Sequence, residues 1–431
     1  METSDLPAFQ RMATTGFTKD SRFTARQTVT SSYSTFAMKI PSVLFLIFFA
    51  ITSAAGQEQK GIRFRPISFD EAIRQSKTEN KPIFLHAFAS WCHYCTGMAD
   101  SVYTDAEVGA FYNDHFVCIK LDMEKEGKEL NKKLRIKTFP TLVYFDSTSA
   151  IMMHRLAGKR GRQEFIQAGL DALDSTKNLR SYEQIYFSKR GTAREYAVYF
   201  KMLDQAGLDN QPSINAYLSE LSNDEMLRSD NWRILYDQFR DSEASSFQRI
   251  LLMRPEFAKR YTTDSIDNKI LTVYNGDLMT RVQKLDTAGY QSMIEKLKKS
   301  KLDIADKIVA YADLNRAKMK SDWKKYQELA VPFIEEFCKG DYRRLNEVAY
   351  NFYERATDSV MVNKAIGWSE EAVVLQDNIR YNHTLASLYY KAGRKKDAMN
   401  ACNHTIELAK KNKVDYKQST LLMEKIEELK E

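Results

Sequence analysis

Two cysteines that stand close together in the chain are the residues best suited to chemistry. The segment FLHAFASWCHYCTGM, residues 84–98, begins as an apolar run and ends with Cys92 and Cys95. A C-x-x-C pair has three common uses: a redox couple, half of a zinc site, or a structural disulfide. The chain has five cysteines, and the other three are the singletons Cys118, Cys338 and Cys402. No dense disulfide framework explains the pair, so its use must be argued from its surroundings.

Metal binding is the first alternative to redox chemistry. A structural zinc site takes four ligands, commonly from two C-x-x-C pairs or from Cys and His pairs at short spacing. The sequence has no second C-x-x-C pair, and His86, His93 and His115 lack such an arrangement. We therefore expect no metal ion and no cofactor beyond the redox-active disulfide itself. A zinc site, a copper-chaperone site and a purely structural disulfide remain the alternatives.

The elements around the pair predict a small α/β domain with one mixed central sheet flanked by helices. Apolar runs of strand length alternate with amphipathic segments, and the last two runs are spaced as a hairpin. Ser or Thr followed three residues later by Glu predicts the start of a helix. The predicted strands are 82–89, 116–123, 141–146 and 150–156. The predicted helices are one capped by Ser68 with Glu71, one that begins after the C-x-x-C pair, one capped by Thr104 with Glu107, one at 127–135 and one at 161–174.

This arrangement places Cys92 where a strand ends and the next helix begins. Unpaired backbone N–H groups and the helix dipole favour negative charge there, so the Cys92 thiolate is expected to be the nucleophile. Cys95, one turn into the helix, is expected to attack the resulting mixed disulfide and release the substrate. His93 either stabilises the thiolate or is an exposed spacer.

The segments KPIFLHAFASWCHYC, FVCIKLDM and KTFPTLVYF, together with Gly158, resemble the thioredoxin superfamily. The resemblance covers residues 62–175 and is nearest to exported thioredoxin-like proteins and to the C-terminal domain of thiol:disulfide interchange reductases. It implies a thioredoxin-like fold and a cis peptide bond before Pro140, in a loop that lies against the cysteines and leaves a backbone edge for substrate.

One position departs from the family pattern. The family usually carries a buried Asp or Glu six residues before the first cysteine, where it takes up the proton of the resolving cysteine, and this chain has His86 there. A histidine can accept the same proton, since its ordinary pKa is near 6.5. Alternatively, His86 is a core histidine without a role in exchange, and the sequence leaves both interpretations open.

The N-terminal segment predicts export. Met38 and Lys39 precede the apolar run IPSVLFLIFFAI and the small residues TSAAG, a pattern typical of a signal peptide over 38–55. The polar residues 1–37 are then a disordered or mis-called upstream extension. The expected location is the periplasm or the extracellular space with no stable membrane span, and an uncleaved membrane anchor is the alternative.

Beyond the domain at 60–178, residues 179–431 show helical periodicity and predict an all-α helical-repeat domain. The segment 347–412 has the spacing of tetratricopeptide-like repeats, because Ala365 and Ala398 stand 33 residues apart. Such stacked helix pairs commonly leave a curved surface that binds a protein. The formal charge of +7 is scattered among acids, so we expect no nucleic-acid partner.

We therefore interpret the chain as an exported thiol–disulfide oxidoreductase that reduces protein disulfides through Cys92 and Cys95. Its expected partners are protein thiol or disulfide substrates, an upstream electron donor and a protein bound by the helical domain. The alternative is a non-catalytic helical-repeat adaptor in which the C-x-x-C pair is a redox sensor.

Overall fold

The computed structural model describes residues 61–429. The segments predicted as an upstream extension (1–37) and as a signal peptide (38–55) lie outside the described residues. The chain divides into two compact units between Ser213 and Ile214, whereas the sequence analysis placed the domain boundary at 178/179.

The N-terminal unit alternates helices and strands around the C-x-x-C pair. Most of its elements coincide with the predicted runs. In chain order they are α1 (Phe69–Glu79), β1 (Ile83–Phe88), α2 (His93–Ser101), α3 (Ala106–His115), β2 (Val117–Asp122), α4 (Lys128–Leu134), β3 (Thr141–Phe145), β4 (Met152–Ala157), α5 (Arg162–Leu173), α6 (Leu179–Phe187) and α7 (Ala193–Gln205).

The four strands form one mixed sheet in the order β2-β1-β3-β4. β1 pairs with β2 in parallel, while β1 with β3 and β3 with β4 are antiparallel pairs. The predicted mixed sheet and hairpin are therefore confirmed. Because β1 is central, it is buried along nearly its whole length, which explains its continuous apolar sequence. Phe84 of β1 belongs to a buried aromatic cluster that also includes Tyr112, Tyr144 and Phe165.

At the start of two helices, a side chain accepts from backbone N–H groups that have no carbonyl partner within the helix. Ser68 caps α1, as predicted, and accepts from the Glu71 N–H at 3.2 Å. The Glu71 carboxylate accepts from Arg74 and Gln75 instead of completing the predicted capping box. The cap predicted at Thr104 was wrong. Asp105 caps α3 instead, and its carboxylate accepts from two backbone N–H groups, at 2.9 and 3.1 Å. A carboxylate at this position also matches the positive end of the helix dipole.

The residues between the predicted boundary and Ser213 explain the longer N-terminal unit. Both α6 and α7 pack against β4, and their apolar faces bury Leu179, Tyr199, Phe200 and Leu203. These helices therefore extend the core of the thioredoxin-like sheet.

The rest of the chain is all-helical, as predicted. Every element that the structure describes after α7 is a helix. They are α8 (Gln211–Glu220), α9 (Asn223–Met226), α10 (Ser229–Gln238), α11 (Ser245–Leu252), α12 (Arg254–Tyr261), α13 (Thr263–Gln283), α14 (Thr287–Lys299), α15 (Ala305–Met319), α16 (Trp323–Phe337), α17 (Tyr342–Arg355), α18 (Ser359–Leu375), α19 (Ile379–Lys391), α20 (Lys395–Asn412) and α21 (Lys417–Glu427).

Consecutive helices in the last part of the chain pack in pairs. α17 packs on α18 and α19 packs on α20, and α18 also contacts α19. Ala365 and Ala398, the residues that set the predicted period, are both fully buried. The assignment to tetratricopeptide-like repeats stays a prediction. Among the helices of residues 61–429, none is both long and apolar enough to cross a lipid bilayer.

Candidate active site

The cysteine pair lies at the junction of β1 and α2. Cys92 is the N-cap residue of α2, with extended backbone angles (φ −76°, ψ 101°). Cys92 and Cys95 form a disulfide with their Cα atoms 5.3 Å apart, and both side chains are about 95% covered, at 4% and 5% exposure. The local sequence explains this junction, because the apolar strand ends where the polar, helix-forming segment from His93 begins.

The start of α2 supplies the electrostatics of the site. The Cys95 backbone N–H donates to Cys92 Sγ at 3.1 Å, so a helix N–H points directly at the first sulfur. No acidic residue occupies the first turn of α2. An N-terminal helix dipole with a donated N–H stabilises a thiolate, and this is the arrangement that lowers the pKa of a cysteine.

Aromatic side chains border the disulfide. Phe139 packs against the cluster of Ala89 and the two cysteines. Trp91 and Tyr94 are exposed, at 70% and 65%, although side chains of this size usually bury most of their surface. The indole Nε1 of Trp91 donates to a Glu124 carboxylate oxygen at 2.9 Å, which fixes the orientation of the ring. The covered sulfurs therefore lie within an exposed apolar surface.

Pro140 lies at the start of β3, and its peptide bond with Phe139 is cis. The Trp91 and Phe139 rings meet edge to face, with centroids 5.9 Å apart. The Pro140 carbonyl accepts from the Gly158 N–H at 2.7 Å. Gly158 has φ of +88°, a backbone conformation that glycine adopts readily. The structure thus brings Pro140 to the same site as the cysteine pair.

His86 is buried in β1, at 4% exposure. Aromatic rings of Phe64, Phe88 and Tyr103 surround it. Burial, with a smaller effect of Lys120, lowers its pKa to about 3, so the ring is neutral at physiological pH. Its Nδ1 forms a short hydrogen bond with the Tyr103 hydroxyl.

Tyr103 is a further residue of the site that no pattern in the sequence predicts. It follows α2 in the turn before α3, and its hydroxyl reaches His86 from a different element. Burial raises the pKa of Tyr103 well above its ordinary value, so the hydroxyl stays protonated. No spacing rule relates a turn residue to the middle of a strand 17 positions earlier, and only the three-dimensional contact reveals the pair.

The other three cysteines form no disulfide within residues 61–429. Cys118, Cys338 and Cys402 are free and buried, and burial raises the pKa of Cys118 and Cys338 to about 12. They are therefore thiols at physiological pH. Within residues 61–429, no group of three or more His, Cys, Asp or Glu side chains is arranged to hold a metal ion.

Comparison with known proteins places this domain in a family. Residues 57–134 match the family model Thioredox_DsbH, described as "Protein of unknown function, DUF255". Spermatogenesis-associated protein 20 of Mus musculus is 40% identical over 55 residues, which are 13% of this chain and 7% of that protein. The thiol:disulfide interchange protein DsbD of Ralstonia nicotianae is 25% identical over 133 residues, 29% of this chain and 22% of DsbD. The chain thus spans only a small part of these curated relatives.

Solved structures resemble the same domain. A solution structure of a candidate disulphide isomerase from Bacteroides thetaiotaomicron is 35% identical, with 27% of this chain and 98% of that chain covered and a TM-score of 0.26. A DsbH oxidoreductase is 24% identical, with 26% and 87% covered and a TM-score of 0.24. By its match to the DsbH (DUF255) family model over residues 57–134 and by its sheet, the chain carries a thioredoxin-like domain that is similar to this family and holds a C-x-x-C pair like that of thiol–disulfide oxidoreductases, followed by a large all-helical region.

Proposed function

We propose that this protein is an exported thiol–disulfide oxidoreductase that reduces protein disulfides by exchange through Cys92 and Cys95. The observation that carries the proposal is the Cys92 sulfur at the N-cap of α2, with the Cys95 N–H donated to it. A structural disulfide needs no such donor, whereas a nucleophilic thiolate is stabilised by it.

The reaction has two exchange steps. In the reduced protein, the Cys92 thiolate attacks one sulfur of a substrate disulfide, so that a Cys92–substrate disulfide forms and one substrate thiolate leaves and takes up a proton. The Cys95 thiol then loses its proton and attacks Cys92 Sγ. The second substrate thiol leaves, and the Cys92–Cys95 disulfide forms. Two electrons pass from the pair to the substrate, and the two substrate thiolates take up two protons, one released by Cys95 and one from the solvent. An upstream dithiol donor must then restore the reduced pair.

His86 is the proposed acceptor of the Cys95 proton. It stands on β1 on the same face as Phe88, which packs beside the cysteine pair. The ring is neutral and therefore has one unprotonated nitrogen. The Tyr103 hydroxyl contacts Nδ1, and this contact decides which nitrogen carries the proton in the resting state. The alternative is that His86 is a core histidine without a role in exchange. In that case, Cys95 should resolve the mixed disulfide at a normal rate in a variant that lacks the imidazole.

The helical region is proposed to recruit protein partners. Its helices pack in consecutive pairs, and stacks of helix pairs commonly expose a continuous surface for protein binding. Export of the protein is proposed from the signal-peptide pattern at 38–55, and it would bring the pair to a compartment where substrate disulfides persist.

Reduction of insulin disulfides by the purified protein, with dithiothreitol as donor, tests the proposal. We expect catalysis that is abolished in Cys92→Ala. The matched control is Cys118→Ala, which removes a buried thiol of β2 and should retain most of the activity. If the wild-type protein does not accelerate the reaction, the oxidoreductase proposal fails and the redox-sensing adaptor is favoured.

The reduction potential of the pair tests the direction of electron flow. A reductase should have a potential below about −220 mV, whereas strong oxidants lie near −120 mV. Equilibration of the protein with glutathione buffers, followed by thiol counting, gives this value. A potential above about −180 mV would contradict the reductase assignment and favour an oxidase or an isomerase.

A further inference from the structure

Two loops border the disulfide at one end of the sheet. The first, residues 135–140, ends in Pro140, and the second, residues 158–161, joins β4 to α5. The hydrogen bond from the Gly158 N–H to the Pro140 carbonyl, at 2.7 Å, holds them side by side. A substrate that reaches the cysteines therefore also meets these loops.

Lys159 extends from the second loop to the active-site helix. Its Nζ lies 3.5 Å from the position that a Cβ on Gly97 would occupy, and Gly97 is only two residues beyond Cys95. Because Gly97 has no side chain, the ammonium group can lie close to the second turn of α2. Lys159 is exposed, and within residues 61–429 its ammonium has no carboxylate partner.

Two neighbouring side chains on these loops, Arg160 and Lys137, carry the same sign of charge as Lys159. Arg160 turns back over its loop, because Nη1 donates to the Lys159 carbonyl at 2.9 Å and lies 3.5 Å from the Cβ position of Gly158. Lys137 is exposed on the first loop. We name Lys137, Lys159 and Arg160 the basic rim.

Arg162, unlike Lys159, has carboxylate partners. It follows the second loop in the first turn of α5, and its Nη1 lies 3.4 Å from Asp105 and 3.5 Å from Glu107. The domain thus neutralises Arg162 but leaves the Lys159 charge available. Glu124 accepts from the Trp91 indole N–H at 2.9 Å, and the Trp91 ring in turn contacts Phe139 of the first loop.

We propose that the basic rim selects substrates whose reactive cysteine is flanked by acidic residues. The exposed rings of Trp91 and Tyr94 provide apolar contact with little preference for sequence, while the Lys159 ammonium beside the second turn of α2 distinguishes substrates by charge. This proposal rests on the proposed function, because it concerns the substrate of the same exchange reaction.

The expected effect is a rate difference that depends on salt. Complementary charge accelerates encounter by about tenfold or more at low ionic strength. The attraction is screened over about 10 Å at 0.1 M salt and about 3 Å at 1 M. We therefore expect the preference for acidic peptides to fall steeply between these conditions.

The test compares three substrates with the full chain. They are a peptide disulfide with Asp residues beside the cysteine, the same peptide with Lys residues, and the uncharged bis(2-hydroxyethyl) disulfide. Wild-type protein should reduce the acidic peptide about tenfold faster than the basic one at low salt. The double variant Lys159→Glu/Arg160→Glu should reverse this order, and Lys137→Glu, from the other loop, should shift it in the same direction. Rates for each variant are divided by its own rate on the uncharged disulfide, which removes any effect on the cysteines.

The matched control is Lys77→Glu, which reverses an exposed charge in the last turn of α1 and should keep the wild-type ratio. Two results would overturn selection by charge while the oxidoreductase function stands, provided that the uncharged disulfide is turned over. One is equal rates with the acidic and the basic peptide, and the other is a ratio of these rates that the rim variants leave unchanged. Absence of turnover with all three substrates overturns both.

Discussion

His86 occupies the position at which the resembling family carries an acid, and its surroundings decide how it can act. Three aromatic rings and a neutral tyrosine hydroxyl replace water around it. These neighbours disfavour the imidazolium form, which explains the pKa of about 3. If His86 takes up the Cys95 proton, as proposed, the ring can hold this proton only transiently.

The first prediction concerns His86→Ala. If His86 relays the Cys95 proton, this variant should slow resolution of the mixed disulfide by about 100-fold or more, the usual contribution of a general base. Formation of the mixed disulfide should change little, because Cys92 performs that step. Rapid-quench measurement of a trapped peptide adduct separates the two rates.

His86→Asp, which restores the acid of the family, should recover resolution, and Tyr103→Phe, which removes only the hydroxyl, is the matched test of the hydrogen bond. A loss below about threefold in His86→Ala, against the expected general-base factor, would identify a core histidine and remove it from the mechanism.

The contact between α6 and β4 depends on a second buried histidine. His154 Nδ1 accepts from the Leu179 N–H at the start of α6, at 3.3 Å, so the bonded form is neutral. Burial lowers the pKa of His154 to about 4. On α6, burial raises the pKa of Glu183 to about 7.

These groups predict opposite trends in stability with pH. As pH falls from about 6.5 towards 4, the unfolded chain protonates His154 before the folded chain does, so stability is lost by up to about 1.4 kcal/mol per pH unit. Glu183 binds its proton in the folded state first, so its contribution is present below about 4.5 and is lost as pH rises towards 7.

His154→Asn tests the first trend, because the amide oxygen can still accept from Leu179 but does not titrate. We expect the slope of unfolding free energy between pH 4.5 and 6 to fall by about 1.4 kcal/mol per pH unit, with no change of slope from pH 7 to 8. Urea unfolding of wild type and variant at each pH measures this. An identical slope in both proteins would contradict the neutral, buried His154.

The size of the folded N-terminal unit is a property of the whole molecule. Helices α6 and α7 bury several large side chains against β4, and each such side chain contributes roughly 2 kcal/mol. A fragment that ends at Ser213 should therefore be more stable than one that ends at Asn178 by at least about 3 kcal/mol. Thermal and urea unfolding of the two fragments measures the difference, and equal stabilities would show that the two helices do not belong to this core.

Partner capture tests what the helical region adds. Cys95→Ala can attack through Cys92 but cannot resolve, so it should accumulate mixed disulfides in its own cell that disappear with reductant. In a chain that ends at Ser213, we expect fewer captured proteins while insulin reduction by the unmutated fragment persists. Cys92→Ala is the control, and it should capture far less. An unchanged set of captured proteins would assign the helices a scaffold role.

The sequence by itself determined the local features of this protein. The continuous apolar run of β1, the hairpin of β3 and β4, and the helical periodicity after α7 depend on neighbours along the chain, and the C-x-x-C pair with Pro140 is a local motif with a known geometry. The family resemblance then joined these segments into one sheet.

Contacts between distant segments were decided only by the tertiary structure. The Tyr103 hydroxyl on His86, the Lys159 ammonium over Gly97 and the packing of α6 and α7 on β4 each join residues whose spacing carries no periodic signal. The sequence predicts Thr104 as the N-cap of α3, whereas the structure has Asp105 there. Both residue types are common N-caps, and only the backbone geometry selects one of them. The periodicity of hydrophobic residues along the chain determines where helices and strands form. The burial and charge of a site depend instead on which helices and strands pack together.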